Sequence, residues 1–130
     1  MFDSKNVLYI LTMLEAIEKI FIYSADFENE EKFYLANKQL NFNASVNLLI
    51  AIGEENKKID EELKTSNKIN WKNLSAMRDK VSHNYRGIDE SMVWEIIKDY
   101  LPTLKILLIE MLPKIENSEL YIKEALKTQY

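Results

Sequence analysis

The residue types best suited to chemistry lie in one short segment, MRDKVSHNYRGID, which runs from Met77 to Asp89. It contains the only histidine of the chain, His83, and both arginines, Arg78 and Arg86. An imidazole can accept or donate a proton near neutral pH, and a guanidinium offers a permanently charged planar fork to phosphate oxygens. The segment therefore indicates either a solvated helix end or a site that handles phosphate.

Metal-free cleavage of RNA is one reaction that such residues could perform. It needs a base for the 2′-hydroxyl proton, an acid for the leaving 5′-oxygen and a cation for the charged phosphorane. His83 could be the base or the acid, and Arg78 the cation, but on a helix the two lie about 140° apart. They converge only if His83 ends the helix. Asp79, four residues before His83, could bond and orient the imidazole.

The spacing of Arg78 and His83 by itself favours a surface ion-pair cluster, because such pairs occur by chance in many chains. Other site chemistries find little support in the composition. Without cysteine and with one histidine, thiolate and ordinary zinc sites are excluded. The two glycines, Gly53 and Gly87, form no phosphate-binding motif, and the carboxylates form no paired metal-binding motif. We expect neither a metal nor a cofactor.

Charge is distributed unevenly along the chain. The segment from Lys64 to Arg86 holds six basic residues and one acid, a local charge of +5 in a chain whose net charge is −4. An acidic body with one basic segment disfavours general polyanion binding but leaves a local field for phosphate. We assign Lys80, Asn84 and Arg86 as candidate RNA contacts, although Arg86 could equally be a solvated residue.

Composition predicts an all-α protein. Of 130 residues, 47% are hydrophobic and 29% charged, and only two glycines and two prolines are available for turns. We expect one domain over residues 1–130, an antiparallel bundle of four to five main helices, with residues 113–130 as a C-terminal helical extension. No signal peptide or membrane span is evident in the sequence, so a cytoplasmic location is expected.

Hydrophobic spacing and capping residues predict where the helices lie. Gly53 lies inside the helix predicted from 33 to 63. It indicates close approach of another helix, because glycine inside a helix costs about 1 kcal/mol relative to alanine. Asn70 and Asp89 are expected to cap the helices that follow them, and Pro102 to kink or restart the one in which it lies. The predicted helices run from Asp3 or Ser4 to about Ser24, from 33 to 63, from 71 to 83 or 84, from about 90 to 112 and from 118 to 127, with a loop at 65–70.

A longer string, WKNLSAMRDKVSHNYRGIDESMVWEIIKDYLPTLK (residues 71–105), resembles the HepT-like branch of the HEPN superfamily. The shared features are a tryptophan that opens a helix, Met-Arg and a polar residue, His-x-Tyr, a glycine turn and Val-Trp-x-x-Ile. The IGEE of residues 52–55 matches the Ile-Gly-Glu of the family's long second helix. The resemblance covers roughly residues 5–112. Asp79 departs from it, because asparagine is commonest there.

The resemblance implies a toxin of a two-gene toxin–antitoxin module that acts as a metal-independent endoribonuclease on RNA, not DNA. Arg78 and His83 match the catalytic pair of the family, and Tyr85 matches the tyrosine of His-x-Tyr. The antitoxin of such a module is a minimal nucleotidyltransferase that silences the toxin by adding AMP to this tyrosine. A protein that only binds a nucleotidyltransferase and has no catalytic activity remains the alternative.

Counting titrating groups predicts a homodimer. Acid–base cleavage of RNA requires two titrating groups, a base and an acid, and each chain has one histidine. A two-fold dimer would supply the second His83 if both Arg78/His83 sets lined one cleft. The first helix and the segment from Val93 to Leu112 are apolar over more than one stripe, which leaves surface for a second copy.

Overall fold

The structure is a computed structural model that describes residues 1–83, 87 and 89–129, except for the side chains of residues 125 and 127–129. Every regular element in this part of the chain is helical, which confirms the all-α class. None of these helices has both the length and the apolar character needed to cross a membrane. The helices are α1 (Lys5–Ser24), α2 (Glu30–Leu35), α3 (Leu40–Asn56), α4 (Glu61–Lys64), α5 (Trp71–His83), α6 (Glu90–Glu95), α7 (Leu101–Met111) and α8 (Ser118–Gln129).

Helix α1 is the centre of the bundle and contacts α3, α7 and α8. Its start is stabilised by Asp3, whose carboxylate accepts a hydrogen bond from the backbone N–H of Lys5 at 2.9 Å. The side chain of Ser4 makes no capping bond. Apolar side chains along one broad face of α1 are fully buried, which explains its hydrophobic composition. They are Val7, Ile10, Met13, Ile17 and Ile20.

The single helix predicted from Phe33 to Leu63 is wrong in its continuity. The chain breaks at Asn37, Lys38 and Gln39, which all have left-handed backbone conformations with φ of 51°, 58° and 70°. Each such residue costs roughly 1–2 kcal/mol without glycine. The break folds α2 back on α3, so that the Phe33 and Phe42 rings lie 6.1 Å apart. A second turn separates α3 from α4.

Helix α5 carries the candidate site and packs against α3. The Asn70 side chain accepts a hydrogen bond from the N–H of Asn73 at 3.0 Å, so the predicted cap is confirmed. Leu74, Met77 and Val81 are buried at helical spacing and hold one face of α5 on the core. The loop predicted at 65–70 is present before this helix.

The segment after the site is interrupted where proline was expected to interrupt it. Asp89 caps α6, its carboxylate accepting from the N–H groups of Ser91 and Met92. A π-helical turn, Ile96–Tyr100, then joins α6 to α7, which has Pro102 in its first turn. Proline lacks the N–H that a continuous α-helix would use, and a π-turn accommodates the change.

Candidate active site

Arg78 is placed on α5 by direct contact with Gly53 of α3. A methyl group on Gly53 would overlap the Cβ and Cγ atoms of Arg78 and would lie 3.5 Å from its Cα. Only glycine lets the two helices approach so closely here. The close approach predicted for Gly53 is therefore confirmed, and the residue that approaches is the candidate catalytic arginine.

Two carboxylates hold the Arg78 guanidinium. Nη2 forms an ion pair with Oε1 of Glu54, and Nη1 bonds Oδ1 of Asp79 at 3.1 Å. Nε is buried and has no hydrogen-bond partner in the described part of the chain. The two carboxylates fix the guanidinium in position. It is also partly accessible, because 25% of the Arg78 side chain is exposed. A phosphate that binds it must share the guanidinium with these carboxylates or displace one of them.

His83 is the last residue of α5 and is exposed. Neither Arg78 nor Asp79 forms a hydrogen bond or ion pair with His83 in the described structure. The Asp79 carboxylate accepts from Arg78, and the Asp79 backbone carbonyl accepts from the Ser82 hydroxyl. The expected Asp79–His83 bond is thus absent. The carboxylate of Asp79 instead bonds the permanently charged guanidinium of Arg78, the preceding residue in the chain. Because residues 84–86 lie outside the described residues, the helix end that convergence with Arg78 requires stays a prediction.

Of the remaining candidate residues, only Lys80 lies within the described part of the chain. Lys80 is exposed, has no ion pair among described residues, and lies at a cavity of about 550 Å³ between α5 and the π-helical turn. Tyr100 lies at the same cavity, and burial raises the pKa of its hydroxyl. Asn84, Tyr85 and Arg86 lie outside the described residues.

Glu54 is the site residue to which sequence reasoning assigned no role. It was visible in the IGEE string, but its partner Arg78 is 24 positions away. Only the packing of α3 on α5 brings the two together. Within the described residues, no cluster of three or more His, Asp or Glu side chains could hold a metal ion.

Comparison with known proteins gives a consistent family assignment. A family model described as Ribonuclease HepT-like matches residues 13–111. A protein of Thermococcus cleftensis named as a probable ribonuclease HepT is 34% identical over 98 residues, 75% of this chain and 86% of that protein. A Methanocaldococcus jannaschii protein provisionally named an RNase is 34% identical over 118 residues, 90% of this chain and 93% of its own length. No solved structure is significantly similar.

Proposed function

Since this chain belongs to the ribonuclease HepT-like family, we propose that it is a metal-independent endoribonuclease and the toxin of a toxin–antitoxin pair. The observation that carries the proposal is the setting of Arg78. Two helices and two carboxylates hold this residue, five positions before an exposed histidine on the same helix. Relatives named as ribonucleases, similar over most of their length, support the same activity.

The proposed reaction is transesterification of the RNA backbone. The 2′-oxygen attacks phosphorus, the bond from phosphorus to the 5′-oxygen breaks, and a 2′,3′-cyclic phosphate forms. A base accepts the 2′-hydroxyl proton and an acid gives a proton to the departing 5′-oxygen, so protons balance. His83 takes one of these roles, and Arg78 stabilises the negative charge of the phosphorane. None of these groups requires a metal ion.

The second titrating group comes, in this proposal, from His83 of the partner subunit in a two-fold homodimer. Within one chain, a lysine, aspartate or tyrosine could replace it only with a large pKa shift. Support for an interface with a second copy of the chain comes from apolar side chains that are exposed on α1 and α7. Leu8 and Ile22 of α1 are 51% and 70% exposed, and Ile106 and Ile109 of α7 are 58% and 45% exposed.

Regulation follows from the resemblance to HepT-like toxins. We propose that a minimal nucleotidyltransferase antitoxin adds AMP to Tyr85, two positions after His83. The phosphodiester charge would repel RNA, and the nucleoside would occupy space beside the imidazole. Lys80, Asn84 and Arg86 are proposed to contact the RNA, Lys80 on the strength of its free charge.

One observation favours the second candidate, a non-catalytic partner of a nucleotidyltransferase. The charge of Arg78 is already offset by Glu54 and Asp79, and no bond joins Arg78 to His83 in the described structure. A binding protein would need no more than this. A nuclease requires RNA phosphate to compete successfully for Arg78.

Expression without an antitoxin separates the two candidates. The wild-type chain should arrest growth and degrade cellular RNA, whereas His83→Ala should do neither. Asn47→Ala, an exposed change on α3, is the control and should behave as wild type. Normal growth and intact RNA with the well-expressed wild-type chain would favour the non-catalytic partner.

A further inference from the structure

A second cavity lies along α5, next to the one that Lys80 lines. It has a volume of about 810 Å³ and lies between the end of α3, the α4 segment and α5. We call it the lysine groove. The residues that matter to its chemistry are Asn56, Lys64, Lys68, Lys72, Ser75 and Asp79.

The groove has two uncompensated positive charges. Lys64 is largely buried, pairs with Glu61 at 3.6 Å and lies 5.6 Å from the centre of the Trp71 ring. The carboxylate of Asp79 is taken by Arg78. Lys68 and Lys72 are exposed, and neither has an ion-pair partner in the described part of the chain. These two ammonium groups are available to an anionic ligand.

The floor of the groove is polar. Asn56 is only 1% exposed, and its Nδ2 donates to Oγ of Ser75 at 2.8 Å. Since that oxygen accepts, the hydroxyl proton of Ser75 is left to donate to a ligand. Oδ1 of Asn56 has no hydrogen-bond partner among the described residues. An unpaired buried acceptor is costly unless a donor reaches it.

The groove leads along α5 to the candidate active site. Lys72, Ser75, Asp79 and His83 follow one another at helical spacing on one face of this helix. At 1.5 Å per residue, Lys72 and His83 are about 16 Å apart along the helix axis. A ligand that contacts both ends of this face must therefore be an extended chain, because the distance is too large for a single small anion.

We infer that the lysine groove binds the phosphate backbone of the RNA strand on one side of the scissile bond. The inference rests on the proposed nuclease function and adds a path for the substrate. Lysines neutralise backbone phosphates without reading sequence. The Ser75 hydroxyl and the Asn56 amide match the phosphate oxygens and ribose hydroxyls of RNA. An acidic polypeptide would satisfy the two lysines, but its side chains bring no hydroxyl donor to the floor.

The test measures binding of labelled oligouridine by fluorescence anisotropy over a range of salt concentrations. All proteins carry His83→Ala, so RNA stays intact and binding is separated from cleavage. Lys68→Gln/Lys72→Gln should weaken binding and lower the dependence of log affinity on log salt by about 0.7 for each phosphate that the protein no longer neutralises. The charge-matched control, Lys32→Gln/Lys123→Gln, removes exposed lysines outside the groove and should leave both quantities unchanged.

Affinity and salt dependence equal to those of the control would overturn the inference. Unchanged oligouridine binding together with weakened binding of poly-L-glutamate would assign the groove to an acidic polypeptide and overturn it as well. Failure of the protein with native His83 to cut RNA counts against the proposed function alone, because binding by the His83→Ala proteins reports on the groove separately.

Discussion

At the scale of single residues, the site is a guanidinium held from two directions. Gly53 provides the space for the base of the Arg78 side chain, and Glu54 and Asp79 hold its charged end. Local spacing correctly predicted that Arg78 and His83 share one helix. It could not predict Glu54, because the ion pair depends on how α3 and α5 pack. The i, i+4 rule also could not predict that the Asp79 carboxylate bonds the Arg78 guanidinium.

Gly53→Ala should damage the site through packing. The added methyl group overlaps atoms near the backbone of Arg78, which cannot move aside as a flexible side-chain end could. Overpacking of this kind costs about 1–3 kcal/mol, offset by about 1 kcal/mol of helix propensity. We expect a lower free energy of unfolding in urea and a loss of RNase activity larger than stability explains. Asn47→Ala, on the exposed side of α3, should lower neither. An active, equally stable Gly53→Ala protein would contradict the role of this contact.

Tyr85→Phe should separate activity from regulation. Without the phenolic oxygen no AMP can be attached at this position, while Arg78 and His83 are unchanged. The variant should still cut RNA in the presence of the nucleotidyltransferase and ATP, which should silence the wild type. Mass spectrometry of the intact protein and of its peptides should find the AMP mass on Tyr85 of the wild type and of the Tyr23→Phe control. An AMP group on another residue would refute this assignment.

At the scale of elements, the helices were predicted better than their interruptions. The caps at Asn70 and Asp89 and the break near Pro102 follow from local chemistry and are present. The left-handed turn at 37–39 contains no glycine or proline from which it could have been predicted. It is stabilised by packing that forms only on folding, including the Tyr34 and Phe42 rings 4.8 Å apart. Tertiary packing overrides local preference there.

Asp60 should make part of the stability depend on pH. Its pKa is lowered from the usual 3.8, chiefly because the Asn6 amide donates to its carboxylate, with a further contribution from Lys5. A lowered pKa in the folded state stabilises the fold above pH 3.8, and this contribution is lost as the pH falls through the folded-state value.

Denaturation in urea at neutral pH and below pH 3.8 would measure this contribution. Asp60→Asn should lose less stability on acidification than the wild type does, because its side chain cannot titrate. Asp26→Asn, a change at an exposed carboxylate on the chain surface, should lose as much as the wild type. Equal losses in wild type and Asp60→Asn would contradict the assignment.

At the scale of the whole molecule, the proposal requires a dimer of about 31 kDa, twice the 15.4 kDa of one chain. Sedimentation at micromolar concentration should give this mass. Ile109→Glu, on the exposed apolar side of α7, should give a monomer without RNase activity, because a charge at an apolar interface is costly. A monomeric wild-type protein that cuts RNA would exclude a site shared between subunits.

The most direct test of the Arg78/His83 site is analysis of the RNA ends produced in EDTA. The purified wild-type protein should cut single-stranded RNA there, leaving 5′-hydroxyl ends and 2′,3′-cyclic phosphates or the 3′-phosphates formed when these open. His83→Ala should leave the RNA intact while unfolding at nearly the wild-type temperature, because the exposed imidazole contributes little packing. An absolute requirement for Mg²⁺, or undiminished cleavage by His83→Ala, would contradict the proposed site.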